Sequence, residues 1–147
     1  MASFVDTNIL IYAFASTASG PIDKVAIAKE LVAFLSERKE LVLSAQVLSE
    51  FSSAAMRKGN PPLSHVQVAD RVDELCLQTV LPIDASLVQL ALQRTRQSRV
   101  SYWDALIVEA AIRSGATILY TEDMQTAPAT AAPKYATHSW HELASSS

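Results

Sequence analysis

The amino-acid sequence predicts an α/β fold: a three-layer sandwich with a central parallel sheet of about five strands and helices on both faces. Three observations predict it. Short apolar runs rich in β-branched residues recur along the chain, helical periodicities fall between them, and the strand runs are apolar on both faces. Strands that alternate with helices and are hidden on two sides belong in a parallel sheet covered on both faces.

The first run, Ser3 to Val5, is a strand that stops on Asp6. Ile27, Leu31, Phe34 and Leu35 then recur at helical spacing. Leu41 to Leu43 is the second strand, and Val47, Leu48, Phe51 and Ala55 mark the helix after it. Gly59 ends that helix and "NPP" at 60 to 62 prevents its continuation. "SHVQ" opens the next helix, because Ser64 and Gln67 stand at capping-box spacing. Thr79 to Leu81 is the third strand, Asp84 in "PIDASLVQLAL" caps the following helix, and a last helix runs from Tyr102 to Ser114 and stops at Gly115. Thr117 to Tyr120 is the fourth strand, with a weaker one near Tyr135 to His138. The stretch "TAPATAAPK" at 126 to 134 reads as a loop, and residues 144 to 147 read as a frayed end.

At 147 residues the chain suits one domain, 1 to 147, and its 50% apolar content with 3 Gly and 6 Pro is that of a packed globular protein. "MASFVD" has no basic segment leading into an apolar run, and no stretch approaches the roughly 20 apolar residues of a membrane span. Cytoplasmic residence without membrane attachment is the expectation. The lone Cys76 lies among apolar neighbours in "DELCLQTV" and reads as a buried thiol. A net charge of -3 gives no general pull toward nucleic acid, so any such partner must be held locally. The one basic cluster with aromatic company, "RTRQSRVSYWD", puts Arg94, Arg96 and Arg99 before Tyr102 and Trp103. It is either a solvated helix end or a phosphate-facing patch.

In open parallel sheets the functional crevice lies beyond the carboxyl ends of the strands. Asp6 follows the first strand and Asp123 follows the fourth, so two strands deliver acids to one edge of the sheet. Asp104 shares a helical face with Ile107, Val108 and Ala111, while Glu50 falls at the border of the stripe made by Val47, Phe51 and Ala55. Read singly, each has a plain structural explanation. Asp104 follows Ser101 at capping-box spacing, Glu50 suits a solvated flank, and Asp6 and Asp123 suit turns or caps. Read together, four acids from distant parts of the chain can meet at one end of the sheet.

Such a meeting needs neutralisation, because two carboxylates about 5 Å apart repel by roughly 3 kcal/mol at an effective dielectric near 20. Protons can supply it through raised pKa values, and so can a hard divalent cation; all-oxygen ligation favours Mg²⁺ or Mn²⁺. Asn8 and Thr121 would then orient carboxylates or a bound water. The chain has no GxSxG, HExxH, Walker or GxGxxG motif, and His65, His138 and His141 have no matching ligand set. Acids with a metal, without a nucleophilic side chain, point to water attacking a phosphodiester. Two other classes share the acids: a non-catalytic RNA-binding or protein-interaction module, and a phosphotransfer domain. "DTN" weakens the latter, since it lacks the second aspartate of a D-x-D motif.

The segments "FVDTNILIYAF", "LVLSAQVLSEF" and "SYWDALIVEAAIRSGATILYTEDMQ" together resemble the PIN-domain nucleases, most closely the VapC-type toxins of bacterial toxin–antitoxin pairs. The likeness spans about Phe4 to Gln125. It implies a PIN-like sandwich of helices around a five-stranded parallel sheet, and a site in which Asp6, Glu50, Asp104 and Asp123 bind Mg²⁺ or Mn²⁺, with Asn8 and Thr121 at its polar positions. It further implies a ribonuclease acting on structured RNA as a homodimer, held inactive by a cognate antitoxin protein. After "TEDMQ" such toxins continue through a glycine-bearing loop to a strand ending near Asn-Pro; "TAPATAAPKYATHSWHELASSS" has neither. The net acidity leaves RNA affinity to Arg94, Arg96 and Arg99, together with Arg57 and Lys58.

Overall fold

The computed structural model describes residues 1–17, 23–121 and, as backbone, 136–138. Five parallel strands form one sheet in the order β3-β2-β1-β4-β5: β1 (Ser3–Val5), β2 (Leu41–Ser44), β3 (Thr79–Leu81), β4 (Ile118–Tyr120) and β5 (Ala136–His138). The order reverses between β1 and β4, the first strand pairing on one side with β2 (Phe4 opposite Val42) and on the other with β4 (Phe4 opposite Leu119). That reversal creates a switch point, where the chain leaves neighbouring strands in opposite directions and opens a crevice at their carboxyl ends.

Every residue of β1 and β2 is buried whichever way its side chain points, so both faces of the sheet are covered. The covering helices are α1 (Thr7–Phe14), α2 (Lys24–Glu37), α3 (Ala45–Lys58), α4 (His65–Leu75), α5 (Ala85–Gln97) and α6 (Tyr102–Arg113). α1 packs on α2 and α3, α3 on α4, and α5 on α6. Phe4, Leu10, Leu43, Phe51, Ile107 and Leu119 belong to one continuous core that joins the strands to α1, α3 and α6. No described helix is long and apolar enough to cross a membrane.

The caps follow sequence chemistry. Ser64 and Gln67 form a reciprocal capping box, Asp84 accepts from the Leu87 amide, and Ser101 accepts from the Asp104 amide. Gly59 ends α3 for a reason of space, since a Cβ there would stand 2.5 Å from the Ala55 carbonyl oxygen. Gly115 follows α6 with φ +75, the left-handed conformation that glycine adopts freely.

One helix, α1, was not read in the sequence and follows β1 directly. Two expectations are corrected. The buried stripe of α2 is Val25, Ala28, Val32 and Leu35, leaving Phe34 54% exposed beneath the Arg38 guanidinium. Cys76 is exposed, because it caps the end of α4 rather than lying on its inner face. The loop expected at 126–134 and the frayed end at 144–147 lie outside the described residues.

Candidate active site

Asp6 sits where β1 becomes α1. Its amide donates to the Tyr120 carbonyl at 3.0 Å, extending the β1–β4 ladder by one bond, and its own carbonyl accepts from the Ile9 amide at 3.2 Å. It thus follows the last residue of β1 directly and is the N-cap of a helix at once. Its carboxylate is fixed at both oxygens: Oδ1 accepts from the Thr7 amide at 2.7 Å and Oδ2 from the Thr121 hydroxyl at 2.8 Å. Thr121 is 5% exposed and follows β4, so the two strands of the switch point are tied together through this carboxylate.

Thr7 continues the chain of contacts. Its buried hydroxyl donates to Glu50 Oε2 at 2.8 Å, while Glu50 Oε1 accepts from Gln46 Nε2 at 2.7 Å, one helical turn earlier on α3. The same Gln46 nitrogen donates to the Trp103 carbonyl at 3.2 Å. Gln46 thereby links the acid of α3 to the first turn of α6, where Asp104 stands.

Asp6, Asn8, Glu50 and Asp104 line one pocket of about 690 Å³. Its wall is the α3 face carrying Gln46, Ser49, Glu50, Ser53, Ala54 and Arg57, opposed by Trp103, Asp104 and Ile107 of α6. Burial pushes the Asp6 carboxyl above its usual range; the bonds from Thr121 and Thr7 draw it partly back, and the charges of Glu50 and Asp104 push it up again. Among the described residues no basic side chain pairs with Asp6 or Glu50. Asp104 joins both of the roles weighed for it: its amide is capped by Ser101, and its half-buried side chain lines the pocket. Asn8 is exposed at the pocket. Asp123 lies outside the described residues.

The arginines of "RTRQSRVSYWD" divide. Arg94 pairs with Glu109 at 2.6 Å, both side chains being less than one-fifth exposed, and so ties α5 to α6. Arg96 and Arg99 are exposed and do not line the pocket, whereas Arg57 does. Thr7 and Gln46 escaped the sequence reading. Gln46 had a signal in its four-residue spacing from Glu50, but Thr7 reaches a partner 43 residues away and had none.

No group of three His, Cys, Asp or Glu side chains among the described residues is close enough to enclose an ion by itself. The donors nevertheless fit a hard cation. All are oxygens, Asp6 and Glu50 keep unused lone pairs after their threonine bonds, and Gln46 Oε1 is a buried acceptor without a donor. Mg²⁺ keeps several waters and is commonly bound through one or two carboxylates.

A parallel sheet in 3-2-1-4-5 order with an acid-lined pocket at its switch point defines a doubly wound α/β protein. The PIN-domain family model matches residues 3–129, and the chain belongs to that family. Among solved structures it is similar to the Mycobacterium tuberculosis toxin VapC20, described as cleaving the sarcin-ricin loop, with 19% identity and a TM-score of 0.63 over 83% of this chain and 90% of that one. It is similar also to a toxin–antitoxin complex from Klebsiella pneumoniae (20%, TM-score 0.66, 97% and 99% covered). A third is VapBC2 from Rickettsia felis bound to a promoter DNA fragment (19%, TM-score 0.61, 95% and 99%). No curated protein matches the chain.

Proposed function

We propose that this protein is a divalent-metal-dependent endoribonuclease, the toxin of a toxin–antitoxin pair, that hydrolyses phosphodiesters of structured RNA. The observation that carries the reading is the convergence of Asp6, Glu50 and Asp104 on one pocket at the switch point of a PIN-family fold. Asp6, Glu50, Asp104 and, from the sequence motif, Asp123 would hold Mg²⁺ or Mn²⁺. Such an ion, when bound, neutralises the carboxylates, polarises the phosphate and makes water a better nucleophile.

The chain's own residues fix the geometry for that chemistry. Thr121 and the Thr7 amide hold the Asp6 carboxylate at both oxygens, and the Thr7 hydroxyl and Gln46 hold Glu50. Oxygens held in place in this way need no reorganisation to receive a cation. Asn8, exposed at the pocket, offers an amide to the substrate or to a bound water. The same pocket repels a phosphodiester while its acids are unneutralised, which makes activity conditional on the cation.

The named toxins and complexes among the structural neighbours support a cognate antitoxin as partner. A homodimer, an RNA substrate and cytoplasmic residence complete the proposal. The test is cleavage of defined tRNAs and structured rRNA fragments with Mg²⁺ or Mn²⁺, with chelator, and with Asp104→Asn in parallel. Metal-dependent cutting is expected, with at least a 100-fold loss in the variant on the order of other electrostatic-site deletions. Absence of cutting, or cutting that the variant retains, favours a non-catalytic binding module.

A further inference from the structure

Trp103 stands second in α6 at the lip of the acidic pocket, and 62% of its surface is exposed. Tryptophan is highly buried on average, and this indole opens onto the pocket that gathers Asp6, Glu50 and Asp104. This one is held in place. Tyr102 packs against it edge-on with ring centroids 5.1 Å apart, and its carbonyl accepts from the amide nitrogen that also holds Glu50. Phe34, exposed to a similar degree elsewhere, differs in being capped by the Arg38 guanidinium at 5.0 Å.

Arg57 lies on the same pocket from the C-terminal turn of α3. It is exposed, and among the described residues it forms no ion pair, although Glu50 lies on the same pocket. A flat aromatic face, an uncommitted guanidinium and a set of acids around one pocket match the base, the flanking phosphate and the reacting phosphate of a nucleotide.

We infer that Trp103 is a stacking platform for an unpaired base beside the phosphate to be cut, with Arg57 on a neighbouring phosphate. This rests on the nuclease reading and adds to it two residues that position the substrate. A base stacked within a duplex presents no free face to an indole, so the site takes looped or extrahelical nucleotides. Stacking accepts every base, since each has a π-face, and selection then lies in RNA shape more than in sequence.

The test compares wild type, Trp103→Phe and Trp103→Ala on a looped RNA and on versions carrying an abasic nucleotide on either side of the cut. Binding is followed separately, with Mg²⁺ present and no cleavage, by quenching of Trp103 fluorescence in a chain carrying Trp140→Phe and Asp104→Asn. Trp103→Ala is expected to lower kcat/KM about 10- to 100-fold, chiefly through KM, with Trp103→Phe within about threefold of wild type. One abasic position should bring wild type and Trp103→Ala together, and loops should quench where duplex does not.

The platform is overturned if Trp103→Ala keeps its kcat/KM, if its loss is undiminished on every abasic RNA, or if duplex quenches as well as loops. If wild type does not cut but loops still quench, the nuclease reading falls and the platform stands. Cutting without quenching and without an alanine effect removes the platform alone and assigns the indole to a protein-facing surface.

Discussion

Asp6 carries two demands that pull against each other. As an N-cap it suits the fold, but as an ionised group it is partly buried and faces the charges of Glu50 and Asp104. An acid whose folded pKa is raised binds its proton more tightly folded than unfolded. Its ionised form therefore destabilises the metal-free chain at neutral pH, and acidification through the raised value gives that stability back. Asparagine caps helices as well as aspartate does, so Asp6→Asn keeps the cap and removes the buried charge. The expected outcome at pH 7 without metal is a gain of about 1 kcal/mol, roughly 2–4 °C in Tm for a chain of this size, together with loss of cleavage. Thermal unfolding of the two chains checks it; a lower Tm for the variant would mean that the carboxylate stabilises the fold. Thr7 and Gln46 explain why only part of this centre was legible beforehand. Acids advertise themselves at strand ends and stripe borders, whereas a threonine that donates across 43 residues resembles any other until the chain is folded.

The elements divide by how local their signals are. Asp84, Ser64 and Ser101 were readable as caps because capping is settled within four residues. α1 was not, because "TNILIYAF" is apolar around most of its circumference and shows no polar stripe; it is hidden against α2 and α3. The sequence stripe of α2 missed the buried Val25 and Val32, since the apolar Ile27, Leu31 and Phe34 compete with them for the same period. Arg94 lay in a basic run that suggested solvent or phosphate, and its pairing with Glu109 depends on α5 meeting α6. Asp84 shows what such a meeting adds. The bond from Arg113, then those from the Leu87 amide and Ser86, hold its carboxyl at about 2 against an ordinary 3.8. A depressed pKa contributes stability that is complete above the unfolded value and is lost as pH falls toward the folded one. The stability difference between wild type and Asp84→Asn should accordingly be constant above about pH 5 and shrink between about pH 4 and 2. Denaturant unfolding at stepped pH reads this directly, and a difference that grows on acidification would contradict the assignment.

At the scale of the molecule, the strand order places the site. β1 and β4 are neighbours in the sheet though more than 110 residues apart in sequence, and the crevice they open receives Asp6 from one and Thr121 from the other. Alternation of strands and helices made the α/β class and four of the strands legible from apolar runs, and the weak run near His138 coincides with β5. The 3-2-1-4-5 order, which decides which strand ends meet, depends on long-range pairing. With a net charge of -3 and acids at its centre, the molecule has no general attraction for RNA. A neutralising cation is therefore the condition for substrate binding as well as for chemistry. Calorimetric titration of Mn²⁺ into the metal-free protein, beside Asp6→Asn and Glu50→Gln, tests that claim most directly. Saturable binding in the wild-type chain that weakens at least about tenfold in each variant is the predicted result. Equal binding in all three, or none in the wild type, would contradict it.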